Sequence, residues 1–454
     1  MPENLPIALL DSLEHVKGFN RKSFEDVHNN PAQVTSVRLN PLKQFDIEGS
    51  VLSIQQNIPW CVYGRYLNKR PFFTFDPLLH AGAYYVQDAS SMFLWQVLEQ
   101  TVGKNTNGLR VLDLCAAPGG KSTLLASYFN DGLLVANEVI KSRANTLVEN
   151  ITKWGTENTI VTCNDPSHFA RLENYFDVIV IDAPCSGSGL FRRDAGAINE
   201  WSLDNVALCS QRQQRILADV YPALKQGGII IYSTCSYSRE EDEDILLWIN
   251  KHLDVTGYRI KLDEDWGIVE TEAGNGNFGY RFYPDKLMGE GFFITAFQKK
   301  DGGSFYNYTL PLAQAPKHET DISENWIKNN EALFYFKQNE NIIAIPEQWK
   351  QDAALLQKNL YLRKVGITVG AVKGKDLVPN HELALSMLMN ENIQTVDASL
   401  EEALLYLKKK EIILENRTKG WAVITYKQLA LGWVKVLHNR VNNYYPMEWR
   451  ILKD

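Results

Sequence analysis

The chain has 454 residues, 45% of them hydrophobic and 22% charged, and a formal net charge of −7. This is the composition of a globular protein large enough for two or three cores, and it excludes a disordered or fibrous chain. No apolar stretch is long enough to span a bilayer and the six cysteines include no CxxC pair, which argues against a membrane span, a disulfide framework and a zinc ribbon.

In chain order, the opening MPENLPIALLDSLEHV has no basic segment followed by an apolar run, so no secretory leader is expected and the free thiols point to a reducing cytoplasm. Residues 1–100 read as a mixed preface. From about 109 to 235, apolar runs alternate with helical spacing. LRVLDLC (109–115), GLLVANE (132–138), TIVTCND (159–165), DVIVIDAPC (177–185) and GGIIIYSTC (227–235) read as buried parallel strands. KSTLLASYF, KSRANTLVENITKWG and NVALCSQRQQRILADVYPALK between them read as helices. The repeat predicts a doubly wound α/β sheet with ligands at the carboxyl ends of its strands. Those ends carry Cys115, Glu138, Asp165, Asp182 with Cys185, and Cys235. GYRIKL (257–262) and GFFITAFQK (291–299) are expected to finish the sheet, and residues 301–325 read as a linker. The last stretch, 404–454, holds 10 Lys and Arg against 4 Asp and Glu with aromatics among them. That pattern suits phosphate contact, though a solvated basic face is as common.

LDLCAAPGGKST ends like a phosphate-binding P-loop, but the first glycine of that pattern falls on Cys115, and Pro118 removes an amide donor. A nucleoside cofactor lying against the backbone fits better. Glu138 stands roughly 20 residues on, where an acid accepts from ribose hydroxyls, and Asp165 is placed to accept from an adenine amino group. S-adenosylmethionine suits this loop better than NAD, because it is not GxGxxG.

Cys61, Cys163 and Cys209 read as small buried hydrophobes. Cys185 and Cys235 follow strand ends among Ser, Thr, Gly and Pro, which permit exposed turns. Two thiols without a nearby His are too few for a closed zinc site, so no metal is expected. A thiolate adding to carbon 6 of a cytosine would let carbon 5 take a methyl group. Asp182, if protonated, could supply the hydrogen bond that ring nitrogen 3 then needs. Of the acidic run behind Cys235, Ser238 is expected to N-cap a helix with Glu241 as its box partner.

YYVQDASSM (84–92), VLDLCAAPGGKST (111–123), NEVIKSRANTLVENI (137–151), DAPCSGSGLFRR (182–193), YSTCSYSREEDE (232–243) and GFFITAFQK together resemble the Sun-type (Fmu-like) RNA cytosine-5 methyltransferases. The resemblance implies a class I methyltransferase with a Rossmann-like, seven-stranded sheet over 101–300. It implies that Cys235 is the nucleophile and that Cys185 assists breakdown of the adduct. Cys115, Ala116, Ala117, Pro118, Gly119, Gly120, Lys121, Glu138, Arg143, Asp165 and Asp182 would line the S-adenosylmethionine site, with Lys121 also near the target base. VTSVRLNPLK (34–43) resembles the family's N-terminal RNA-contacting part, with Arg38 and Asn40 at the matching positions. Residues 326–392 and 393–454 look like the extra domains of the bacterial RsmF-like subgroup, the second a PUA-like β-barrel in which Lys427, Lys435 and Arg440 would contact phosphate and Trp433 could pack or stack. The expected substrate is 16S ribosomal RNA, bound by a monomer. A tRNA substrate and a non-catalytic ribosome-assembly factor are the alternatives.

Overall fold

The structure, a computed structural model, describes residues 5–30, 33–274, 276–303, 305, 309–412 and 418–453. Two short helices, Ile7–Leu13 and Arg21–Asn29, precede strands β1 (Thr35–Leu39), β2 (Ile54–Asn57), β3 (Gly64–Leu67) and β4 (Tyr84–Val86). These four strands form an antiparallel sheet of order β2-β3-β1-β4.

The centre of the molecule is the predicted parallel sheet: β5 (Arg110–Asp113), β6 (Leu133–Asn137), β7 (Thr159–Thr162), β8 (Phe176–Asp182) and β9 (Leu224–Thr234), in the order β7-β6-β5-β8-β9. Alternate side chains explain the unbroken apolar runs. Leu112, Val135, Ile179, Ile181 and Ile230 pack on one face with Ile216, Leu217 and Ile245 of the following helices. Val111, Leu134, Val178, Val180 and Ile231 pack on the other with Leu94, Leu98, Leu124 and Leu125. A sheet covered on both faces has no strand face left for water, hence no polar alternation. The order reverses beside β5, and the carboxyl ends of the strands converge there.

The sheet has ten strands rather than seven. β10 (Val255–Gly257), β11 (Val269–Glu272), β12 (Phe278–Phe282) and β13 (Phe292–Lys299) extend it beyond β9 with antiparallel pairing. Only Gly257 of the expected 257–262 strand is in a strand: Tyr258 N–H still donates to Ala296 O, but beyond it side chains take amides, Ile260 N–H donating to Tyr280 Oη and Lys261 N–H to Gln100 Oε1.

Part of the expected linker, which also includes residues outside the described ones, is ordered: Lys317–Glu324 is a helix with Glu319, Thr320 and Ser323 buried. Then come β14 (Leu333–Gln338), β15 (Asn341–Pro346), β16 (Leu362–Val365), β17 (Ile367–Lys373) and β18 (Asp376–Pro379). β16 leaves its neighbours and pairs antiparallel with β7, adding the tenth strand. The last part holds β19 (Thr395–Asp397), β20 (Gly420–Tyr426), β21 (Leu429–Val436) and β22 (Val441–Asn443), a sheet in that order beside the helix Leu400–Leu407. The cores are continuous: Phe334, Phe336 and Ile345 pack with Phe176 and Leu224, and Trp433 and Val423 pack with Tyr335 and Ile342. Residues 326–392 thus share cores with the parts on either side of them, while Val396, Tyr406, Leu407, Ile424 and Val434 of the last part also pack together in a cluster of their own. No helix among the described residues is long and apolar enough to cross a membrane.

Candidate active site

Parallel pairing of β8 with β9 sets Asp182 opposite Ser233, so the two chains leave the sheet side by side. Ala183 N–H still donates to Ser233 O at 2.8 Å. The turns that follow bring Cys185 Sγ to 2.8 Å from Cys235 Sγ. Gly189 closes the pocket behind them, its N–H donating to Cys235 O at 2.8 Å. A Cβ at that position would stand 2.5 Å from Gly291 O and 2.7 Å from Cys235 O, so no larger residue fits. The hydrogen bond with Cys235, burial and the nearby Glu241 carboxylate hold the Cys185 thiol well above its ordinary value.

The acidic run behind Cys235 differs from its expected form. Ser238 precedes a single 3-10 turn, Arg239–Glu241, and makes no capping hydrogen bond; the α-helix begins at Glu243. Glu241 turns inward, and its carboxylate accepts from Ser186 and Ser236. A capping box is a local motif, and partners 55 residues away outcompete it here.

The loop after β5 wraps into the helix Gly120–Tyr128 through Gly119, whose φ of +117° suits glycine. Lys121 Nζ lies 2.8 Å from Asp182 Oδ1, which also accepts from Ser233 Oγ at 2.9 Å. Asp182, read from sequence as a possible proton donor, is thus the acceptor of an ion pair.

Two cavities of about 400 and about 450 Å³ meet at this loop. Cys115, Ala117, Arg143, Asp182, Leu190 and Cys235 line both and form the wall between them. The first also has Ala116, Pro118, Gly120, Lys121, Tyr85, Arg193 and Phe292. The second has Glu138, Asp165 and Cys185. Gly119 lines neither and packs towards Leu147 and Asn150. Arg143 braces the rim, donating to Ala117 O at 2.7 Å with its other nitrogen 3.5 Å from Glu138. The hydrogen bond from Ser167 holds Asp165 below the usual carboxylate range. Acceptor carboxylates at two neighbouring strand ends, beside a backbone loop of small residues, fit the hydroxyls and amino group of S-adenosylmethionine. Of the residues that support the cysteine turns, Glu241 was read only as a helix-capping partner, and Ser186 and Gln213 are absent from the sequence reading; Ser186 lies inside a matching motif, whereas Gln213 carried no local signal.

Asp113 lies beneath the loop, its Oδ2 accepting from Ser122 Oγ at 2.6 Å. Burial outweighs that bond, and with Asp182 and Glu138 nearby it raises the carboxyl to about 7. Between about pH 4 and about pH 7 the folded state then binds more protons than the unfolded state, so this group makes stability fall as pH rises through that window. Asp113→Asn is expected to remove that fall, and its melting temperature should change less than the parent's between about pH 5 and about pH 8.

Arg38 and Asn40 do not reach solvent, which corrects their reading as RNA contacts. Arg38 donates to Gln87 Oε1 at 2.8 Å and to Gly120 O at 3.2 Å, with its guanidinium 4.6 Å from the Trp154 ring. Asn40 donates to Gly82 O and Trp154 O. A buried guanidinium must find acceptors, and here they include Gly120 and Thr123 of the central part as well as Gln87 of its own, so this stretch joins two parts of the molecule. Arg38→Met is expected to cost about 3 kcal/mol in denaturant melts, with RNA affinity per folded molecule unchanged in filter binding. Lys427 donates to Gly49 O, Lys435 lies 5.0 Å over the Trp421 ring, and Arg440 is exposed. Trp433 is fully buried and donates to Asn380 O, so it packs and does not stack on a base.

This sheet order and strand-end site define a class I methyltransferase whose cofactor is S-adenosylmethionine. Three family models match in order: N-terminal domain of 16S rRNA methyltransferase RsmF over residues 5–89, 16S rRNA methyltransferase RsmB/F over 100–298, and Methyltransferase RsmF PUA domain over 393–451. The chain belongs to the RsmB/F methyltransferase family. It is 29% identical over 441 residues to the ribosomal RNA small subunit methyltransferase F of Aliivibrio salmonicida, covering 91% of this chain and 90% of that one. Among solved structures it is similar to a methyltransferase homolog protein from Pyrococcus horikoshii, with 28% identity and a TM-score of 0.51 over 65% of this chain and 100% of that one. NSun6 from Pyrococcus horikoshii, solved with SFG, shares the fold at 18% identity and a TM-score of 0.55, over 66% of this chain and 100% of that one.

Proposed function

We propose that the protein methylates carbon 5 of a cytosine in 16S ribosomal RNA through a covalent bond between Cys235 Sγ and cytosine carbon 6. The observation that carries this reading is the wall shared by the two cavities, where Cys235 faces both. The names of the relatives support the choice of small-subunit ribosomal RNA.

The bound cofactor supplies an electrophilic methyl group. A base entering the first cavity must leave its stack, at a cost of a few kcal/mol. The Cys235 thiolate adds to carbon 6, and Lys121, oriented by Asp182, gives ring nitrogen 3 the hydrogen bond that its growing charge requires. Carbon 5 thereby becomes nucleophilic and takes the methyl group. Once water in the cavity takes the proton on carbon 5, the carbon 5–carbon 6 double bond re-forms, the carbon 6–sulfur bond breaks and Cys235 is expelled. Cys185, 2.8 Å away with its thiol held protonated, hydrogen-bonds to the departing sulfur. Arg440, which is exposed, and Lys435 beside Trp421 would contact phosphate.

The test is to incubate the protein with methyl-labelled S-adenosylmethionine and 16S RNA, naked or as assembled small subunits, and to separate the nucleosides. Label in 5-methylcytidine is expected. Label in another nucleoside, or in tRNA alone, would overturn the reading.

A further inference from the structure

We propose that Glu241 is a positioning residue that holds the turns of Cys185 and Cys235 to a single carboxylate and so sets the spacing of the two sulfurs. This rests on the reading of both cysteines given above.

Glu241 is fully buried and lines neither cavity. Its Oε1 accepts from Ser186 N–H at 2.8 Å and from Gln213 Nε2 at 3.0 Å. Its Oε2 accepts from Ser186 Oγ at 2.5 Å and Ser236 Oγ at 2.6 Å. Ser186 follows Cys185 and Ser236 follows Cys235. Gln213 also donates to Pro184 O at 3.0 Å, which ties the residue before Cys185 into the same group. The segments on both sides of the paired sulfurs thus converge on one side chain.

A carboxylate that served packing alone would not need four donors, three of them from residues adjacent to the cysteines. Burying it is costly unless its oxygens are hydrogen-bonded, and those same bonds leave the turns little freedom. Its charge has a second effect, since it adds to the interactions that keep Cys185 a thiol. The two cysteines are thereby made unequal by a group that touches neither substrate nor cofactor.

The test compares Glu241→Ala and Glu241→Gln with the parent. A displacement of the nucleophile by about 1 Å costs about 100-fold in rate. Glu241→Ala is expected to lose about 100-fold in kcat with KM for S-adenosylmethionine nearly unchanged. Glu241→Gln keeps an acceptor oxygen without the charge. It should recover most of that loss while the thiol limb of its pH–rate profile moves to lower pH. A readout independent of turnover is the rate at which diamide joins the two cysteines. Diamide takes two electrons and two protons from the thiols as the S–S bond forms, and peptide mapping measures the product. That rate should fall at least tenfold in Glu241→Ala (an order-of-magnitude expectation for sulfurs no longer held together). If Glu241→Ala does not fold, Ser236→Ala takes its place, with the same direction expected. A folded variant with unchanged kcat and unchanged cross-linking overturns the proposal. A parent that makes no 5-methylcytidine while the cross-linking rate still drops overturns only the functional reading.

Discussion

Cys235→Ala is expected to abolish methyl transfer, by on the order of 10⁴-fold or more, and to form no covalent complex with RNA containing 5-azacytidine. The loss is large because carbon 5 of a cytosine does not attack a methyl group until carbon 6 has been saturated. Cys185 cannot replace Cys235 from its present position, since it lines the second cavity only, and Cys115, which lines both, has its thiol pushed well up by burial. Cys185→Ala should behave differently. Its adduct should form, and should persist on ordinary RNA in a denaturing gel, because expulsion of Cys235 has lost its helper. Trapping that survives in Cys235→Ala and disappears in Cys185→Ala would exchange the two roles. Both variants are expected to keep S-adenosylmethionine binding, since the loop at 115–121 and Glu138 are untouched.

Arg281→Met is expected to have the largest effect on stability. Arg281 is 1% exposed, on β12, and it reaches across to the start of the helix behind Cys235. It donates to Glu243 Oε1 at 2.7 Å and to Tyr237 O at 2.9 Å, and lies 3.1 Å from Asp242 Oδ2. Asp242 also accepts from Thr234 Oγ1 at 2.7 Å, one residue before Cys235. Removing the cation strands two buried carboxylates side by side, at a cost of about 3–5 kcal/mol. Without Arg281 those carboxyls hold their protons to higher pH in the folded state. The variant's stability then falls as pH rises, and its deficit in urea melts should be greater at about pH 8 than at about pH 5. A deficit independent of pH would show that packing, not charge, is the main function of Arg281.

Much of the catalytic part was legible in the sequence because its signals are local. Each parallel strand is an unbroken apolar run ended by a polar residue, since burial on both faces leaves no alternation. Gly119 marks the loop because its backbone enters the left-handed region. Cys185 and Cys235 stood out because a cysteine just past a strand end is not packed like one within it.

The departures share a physical cause. Arg38 was expected to contact RNA because its stretch resembles an RNA-contacting part, but its acceptors at Gln87 and Gly120 are 49 and 82 residues away. Glu241 had a good local partner in Ser238 and took distant ones, where desolvation makes four hydrogen bonds worth more than a cap. β16 looked like part of a separate domain until the unpaired edge of β7 became available to it. The sequence by itself determined the five parallel strands and the order of the motifs, since these follow from short-range periodicity and local residue pattern. Only the tertiary structure decided which polar groups face a cavity and which face protein, because that depends on contacts between residues far apart in the chain.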